Sequence, residues 1–175
     1  MNKTNETVVA WGIDLGTTNS TLCRTRLPAG AASPTEPEVV PLRQPTPAGE
    51  FTGTLLPSIV AIYQGREFVG QGAKDIRALM ADTSKGIVRN VNLFHDCKNE
   101  IGTSRTYSSA PEGYRTPTDI AARILGYLHR EGIGEATFAL KVDEYKQVKA
   151  LARENLREYY GGRAWCNTLY RTMLD

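Results

Sequence analysis

Apolar and polar positions near the amino terminus alternate in a pattern that predicts two β-hairpins. Residues 8–14 are apolar and partly β-branched, which is typical of a buried strand. A Gly-Thr-Thr-Asn turn follows, and residues 20–27 alternate in part, so we expect them to pair back as an antiparallel strand. Residues 55–63 and 67–69 predict a second hairpin around a turn at 64–66.

Helical spacing appears in two further segments. Residues 71–81 are predicted to form a helix whose buried side carries Ile76, Leu79 and Met80. The other helix should begin at Thr116 as N-cap, with Pro117 at its first position and an acid at its third, Asp119. Its apolar stripe and the glycines that should end it are Ile120, Ile124 and Leu128, flanked by Ala121 and Leu125, then Gly132 and Gly134.

A proline-rich window separates the two predicted hairpins. Six of the nine prolines lie between residues 28 and 49, so we expect an exposed loop with one short edge strand around Val39 and Val40. An interdomain linker is the competing interpretation, and it is disfavoured because only 27 residues precede the window. Residues 90–115 carry no clear pattern. Residues 136–142 predict a strand, and Asp143 should begin a helix that runs to about residue 160.

Composition narrows the class of protein. The 175 residues suit about one domain, and the net charge of +2 provides no basic surface for nucleic acid or anionic lipid. No apolar run reaches 18 residues, and residues 1–7 lack the apolar core of a secretory signal. Three well-separated cysteines, Cys23, Cys97 and Cys166, predict free thiols in a reducing, cytoplasmic compartment. His95 and Cys97 lie close together, but no second pair has ligand spacing, so no metal site is expected from them.

The candidate chemistry lies in residues 12–20, Gly-Ile-Asp-Leu-Gly-Thr-Thr-Asn-Ser. A strand would bring Asp14 to the rim of a cleft, where its carboxylate could hold Mg²⁺ through water. Gly16 would allow a tight turn, and the N–H groups of Thr17 and Thr18 could then bind one anion together. This arrangement suits a polyphosphate. The alternative is an ordinary hairpin turn with a surface aspartate, which a bare Asp-x-Gly-Thr pattern would favour.

The nine-residue string resembles the first phosphate-binding motif of the heat-shock protein 70 (DnaK) chaperones. Residues 56–61, Leu-Pro-Ser-Ile-Val-Ala, are similar to the family's Thr-Pro-Ser-Val-Val-Ala strand. Residues 68–74 resemble its Val-Gly-Gln-Ala-Ala-Lys segment, the helix from Thr116 to Leu128 resembles its Thr-Pro-Glu-Glu-Ile helix, and Ala136 to Leu140 resembles the following strand. The resemblance covers roughly residues 9–140, with its motifs in the family's order.

The resemblance implies an α/β fold, the first lobe of an actin-like (ribonuclease H-like) ATPase domain with a mixed sheet, hairpins and flanking helices. Residues 8–142 would form this lobe, including a proline-rich loop at 28–50, and residues 143–175 a divergent helical tail. ATP and Mg²⁺ would be the ligands. By this resemblance Gly16, Thr17, Thr18 and Asn19 would contact phosphate, and Asp14 the metal.

Departures from the family put hydrolysis in doubt. The family's catalytic lysine becomes Asn92 or Arg89, depending on register, and Lys141 replaces its interdomain proline. Asn has no charge and Arg has a different reach and donor geometry, so no catalytic residue is assigned. The second lobe, which supplies most adenine contacts in the family, has no counterpart here. We therefore expect weak or undetectable ATP affinity for the isolated monomer.

Several functional interpretations stay open. The chain could bind ATP alone, in a homodimer or with a second polypeptide that completes the cleft. It could be a degenerate, non-enzymatic protein-interaction module, or a truncated remnant without function. A sugar-kinase-like relative of the same fold is disfavoured by the chaperone-type strings around Pro57 and Gly70.

Overall fold

The computed structural model describes residues 7–134, which form a mixed α/β structure of short antiparallel sheets and two α-helices. The strands are β1 (Val8–Leu15), β2 (Asn19–Leu27), β3 (Glu38–Val39), β4 (Leu42–Thr46), β5 (Gly49–Gly53), β6 (Leu56–Pro57), β7 (Ile59–Tyr63), β8 (Arg66–Val69) and β9 (Leu93–His95). The helices are α1 (Gln71–Ala78) and α2 (Pro117–Leu128). Short 3₁₀ turns occupy Leu79–Ala81, Thr83–Lys85 and Cys97–Glu100, and one π-helical turn occupies His129–Ile133.

Both predicted hairpins are present. β1 pairs antiparallel with β2 in a register that sets Leu15 opposite Ser20, and β7 pairs antiparallel with β8. β2 also pairs with β3 and β6, and β7 also pairs with β9. Every strand pairing that the structure describes is antiparallel, and the only parallel pairing in this part of the chain is the isolated bridge between Arg89 and Leu93.

The predicted strand at 55–63 divides at one residue. β6 pairs with β2 of the first sheet, whereas β7 forms the centre of the sheet β8-β7-β9. Ser58 lies between them and is buried. The chain therefore changes sheets at Ser58, which brings this residue next to the turn between β1 and β2.

Two clusters of buried side chains hold the elements together. The larger cluster joins α2 to all three sheets, and the smaller one lies between α1 and β7. Fully buried members of the larger cluster are Leu22, Leu42, Leu56, Val60, Phe94, Ile120 and Leu128. The smaller cluster is built on Ala61, Ala73, Ile76 and Leu93. Apolar burial of this kind is the main favourable contribution to folding.

Helix α2 follows the sequence prediction closely. The Thr116 hydroxyl accepts from the Asp119 N–H at 3.1 Å, and the Asp119 carboxylate accepts from the Thr116 N–H at 2.9 Å, which is a reciprocal capping box. Its predicted stripe is buried. The α-helix ends at Leu128, and the π-helical turn continues to Ile133 before Gly134 adopts a φ of 71°.

Helix α1 is shorter than predicted, and its buried side differs. The helix ends at Ala78, and the three following residues form a 3₁₀ turn. Only Ile76 of the predicted stripe is buried, because Leu79 lies beyond the helix end and is 37% exposed, while Met80 is partly buried. Gly72 and Ala73 complete the buried side, since small residues let the helix approach Phe68 and Pro45 closely.

The prediction of an exposed loop at 28–49 was wrong for its second half. The short edge strand is confirmed as β3, but residues 42–46 form β4, which pairs with β5. Leu42 and Gln44 are fully buried while Arg43 and Pro45 are exposed. Pro45 is tolerated because β4 pairs with a single neighbour in a two-stranded sheet.

Residues 90–115, which carried no clear pattern, contribute β9 and the Cys97–Glu100 turn. The strand predicted at 136–142 and the helix predicted from Asp143 lie outside the described residues. Within residues 7–134, neither helix has the length and apolar character needed to cross a membrane.

Candidate functional site

The turn between β1 and β2 consists of Gly16, Thr17 and Thr18 and is here called the phosphate-loop candidate. The chain doubles back so tightly that a Cβ atom built on Gly16 would lie 2.0 Å from the backbone oxygen of Asn19. Real Cβ atoms do not approach a backbone oxygen this closely, so only glycine fits at position 16. The Gly-Thr-Thr-Asn turn predicted from the sequence is confirmed, and close approach is the reason for its glycine.

Ser58, which lies between β6 and β7, contacts this turn through hydrogen bonds. Its hydroxyl donates to the Gly16 carbonyl oxygen at 2.8 Å, and its backbone N–H donates to the Thr18 carbonyl oxygen at 2.8 Å. A third contact joins the hydroxyls of Ser58 and Ser20, 2.9 Å apart and both buried. Two carbonyl groups of the turn are thus tied to one residue, Ser58.

The amide groups of the turn have no internal partner. Among residues 7–134, the N–H groups of Thr17 and Thr18 donate to no backbone or side-chain acceptor. Thr17 is partly exposed and Thr18 is exposed. Successive free N–H groups in a tight turn are a common means of binding an anion.

The 3₁₀ turn Cys97–Glu100 lies beside the phosphate-loop candidate. The Thr17 hydroxyl donates to the Asn99 side-chain oxygen at 3.4 Å, a long hydrogen bond at the surface. A narrow cleft opens between the two turns, with an enclosed volume of about 10 Å³, the space of about one water molecule. Its lining residues are Leu15, Gly16, Thr17, Ser58, Cys97, Lys98, Ala121 and Ile124.

Lys98 is the charged residue of this cleft, and sequence reasoning did not find it. It is partly exposed, and within the described part of the chain its ammonium group pairs with no carboxylate. Nearby acids are engaged elsewhere: Glu100 accepts from the Tyr107 hydroxyl at 2.7 Å, and Asp96 lies 2.6 Å from the His95 ring nitrogen. The only sequence signal was a lysine in an unassigned segment, which is too weak to indicate a site.

Asp14 lies apart from the cleft. Successive residues of a strand point to opposite faces, and Leu15 lines the cleft while Asp14 is exposed. Asn19 is also exposed, and it pairs with Pro57 in the β2–β6 ladder. The structure therefore brings Gly16 and Thr17 together at the cleft and leaves Asp14, Thr18 and Asn19 at the exposed rim of the same turn.

No cluster of three or more potential metal ligands occurs among the residues that the structure describes. A lone exposed carboxylate such as Asp14 does not hold a cation by itself. Mg²⁺ is commonly bound by one or two carboxylates together with water and substrate phosphates. Asp14 fits a metal only in that form, as a metal–phosphate complex.

Neither of the two residues expected at the position of the catalytic lysine, Asn92 or Arg89, lines the cleft. The Asn92 side chain accepts from the Val88 N–H and donates to the Gly86 carbonyl oxygen, both at 2.8 Å, so it shapes its own loop. Arg89 lies 3.6 Å from the carboxylate of Asp96. Both side chains have local structural partners.

Cys97 contributes an inert wall to the cleft. Burial raises the pKa of its thiol, although the hydrogen bond from the Tyr107 hydroxyl at 3.4 Å acts in the opposite direction. The thiol stays protonated near neutral pH, which disfavours a role as nucleophile or metal ligand. Cys23 and Cys97 are both free, as the sequence predicted, and Cys166 lies outside the described residues.

No protein-family model matches this chain, and a comparison with curated proteins finds no match.

Proposed function

We propose that this chain is a heat-shock protein 70-like ATPase-domain lobe that binds the phosphates of ATP through the turn at Gly16, Thr17, Thr18 and Asn19. The observation that carries the proposal is the pair of unengaged N–H groups at Thr17 and Thr18, in a turn whose carbonyls are held by Ser58. A turn arranged in this way has its donors oriented before the ligand arrives, which lowers the entropic cost of binding.

Mg²⁺ would bind with the nucleotide. Asp14 would contact it through water from the exposed rim, because its carboxylate is solvent-facing and has no partner among residues 7–134. The chain's own residues would orient the phosphates through the Thr17 and Thr18 amides and the threonine hydroxyls. We assign no general base, and we propose binding without efficient hydrolysis.

The nucleotide contacts available in this part of the chain are few and lie at the surface. We therefore propose that a second polypeptide, or a second copy of this chain, completes the cleft and contacts the nucleoside, in a reducing cytoplasmic setting. The isolated monomer should then bind Mg-ATP weakly, since exposed charge contacts are screened by salt and compete with water.

Calorimetric titration of the purified full chain with Mg-ATP tests this proposal. We expect weak saturable binding that Asp14→Ala weakens about tenfold or more, the loss of one charged contact. Asp75→Ala, an exposed aspartate on α1, is the matched control and should bind as the wild type does. Equal binding by wild type and Asp14→Ala would refute the proposal, and no binding by a folded wild-type chain would favour the protein-interaction or remnant interpretation.

A further inference from the structure

We infer that the mouth of the cleft between the phosphate-loop candidate and the Cys97–Glu100 turn binds a phosphate group without a metal ion, and that Lys98 supplies the charge. The inference rests on the proposed function, because the same turn donates the N–H groups. It goes further in naming a cation that the family resemblance does not provide and in separating this contact from Asp14.

Lys98 carries a positive charge that no carboxylate of the described residues balances. Lys98 lines the cleft and has no carboxylate partner among residues 7–134. The acid two positions later is already engaged, since Glu100 contacts Tyr107 and lies 3.9 Å from Arg105. Lys98 thus brings a positive charge without a carboxylate partner to the cleft lining, and an anion is the ligand that would balance it.

Apolar side chains surround the cleft that Lys98 lines. The cleft walls are largely apolar, formed by Leu15, Ala121 and Ile124. Charge interactions are stronger beside such walls than in open water, because the local dielectric constant is lower. The Ser58 hydroxyl already donates to Gly16, whereas Lys98 and the Thr17 N–H, both of lining residues, have no acceptor among residues 7–134. A charged donor beside a neutral N–H donor is a common arrangement for binding phosphate.

Asp14 and the cleft lie on opposite faces of β1. Asp14 points to the face of β1 opposite to Leu15, and Leu15 lines the cleft. A metal held by Asp14 would therefore lie at the other side of the turn from Lys98. The enclosed volume of about 10 Å³ is too small for a nucleoside or for a whole phosphate group, so a ligand would lie at the mouth of the cleft. The charge of Lys98 and the Thr17 N–H favour a phosphoryl group there, either the end of a polyphosphate or a free phosphate.

Titration with tripolyphosphate in the presence of EDTA tests this inference, because it removes both the nucleoside and the metal. We expect binding by the full chain that Lys98→Met weakens at least about tenfold. Lys74→Met, an exposed lysine on α1 away from the cleft, is the matched control and should leave binding unchanged. Inorganic phosphate titrated in parallel tells whether one phosphoryl group suffices.

Amide chemical shifts provide a second readout. Tripolyphosphate should shift the Thr17 N–H signal in the wild type and in Asp14→Ala, but not in Lys98→Met. Equal affinity of wild type and Lys98→Met would overturn the inference, and so would the absence of binding in EDTA. Either result leaves Asp14-dependent binding of Mg-ATP intact, so the failure of this inference is distinguishable from the failure of the proposed function.

Discussion

The two hairpins of this molecule turn by different means. Between β7 and β8, Gln64 and Gly65 have φ angles of 51° and 73°, the positive values that tight two-residue hairpin turns require, and both residues are exposed. Between β1 and β2, the turn is held by Ser58 and contacted by Asn99, which lie far away in sequence.

The first kind of turn is complete in itself, whereas the second depends on the rest of the fold. The turn between β7 and β8 is formed by the backbone angles of its own two residues. In the Gly16–Thr18 turn, the Gly16 and Thr18 carbonyl oxygens accept hydrogen bonds from Ser58, whereas the Thr17 and Thr18 N–H groups have no acceptor among residues 7–134. A turn that distant residues hold in place can therefore keep its backbone N–H groups fixed and unpaired. A turn without such contacts would pair these groups internally or leave them without a fixed orientation.

Replacing the turn glycines should give the largest difference in stability between variants of the two hairpins. Gly16→Ala places a Cβ atom against the Asn19 backbone oxygen, and we expect it to lower the free energy of unfolding by about 3 kcal/mol. Gly65→Ala has open space around it and bears only the strain of a positive φ, about 1 kcal/mol. Urea unfolding of both variants measures the difference. Equal losses would mean that the first turn relaxes easily and is not held in place.

Removing the Ser58 hydroxyl is the next largest expected effect. Ser58→Ala leaves the buried Ser20 hydroxyl without a partner, and an unsatisfied buried polar group costs about 2 kcal/mol. Ser84→Ala, which removes an exposed hydroxyl bonded to Asp82, should change stability by less than about 0.5 kcal/mol. If the two variants unfold at the same urea concentration, the first turn does not need its distant support.

Thiol reactivity measures how accessible Cys97 is in the wall of the cleft beside the first turn. At pH 8 the raised pKa of Cys97 keeps its thiol protonated, and burial hinders access. In a Cys166→Ser background, iodoacetamide should label Cys97 about ten times more slowly than the partly exposed Cys23, which corresponds to about 1.4 kcal/mol. Peptide mapping by mass spectrometry gives both rates. Fast labelling of Cys97 would mean that the cleft opens readily.

Local signals predicted much of the fold. The N-cap of α2 and the positions of both hairpins are indicated by neighbouring residues, and each is present where the sequence indicated. Strand β9 was missed because it has three residues and exists only through its pairing with β7. Strand β4 was missed because its prolines suggested a loop, whereas the buried Gln44 side chain joins it to Gln71 and Leu55.

The candidate site was predicted less completely than the fold. The motif placed Gly16, Thr17 and Thr18 in one turn, since a short string can specify a turn. It could not show that Asp14 faces away from the cleft, or that Lys98 enters it from a turn about 80 residues later in the chain. These relations depend on how Ser58 switches sheets and on where the Cys97–Glu100 turn packs, and no local pattern specifies either.

The distant anchoring of the phosphate-loop candidate also has a consequence in time. Ser58 follows Gly16 by 42 residues, and Asn99 follows Thr17 by 82. As the chain leaves the ribosome, the Gly-Thr-Thr segment emerges before both anchors and lacks them until Ser58 and Asn99 have followed. Closing such long loops costs entropy before the contacts form. The turn therefore acquires its final shape only once Ser58 and Asn99 have reached it, and a phosphate ligand would recognise only chains in which they have.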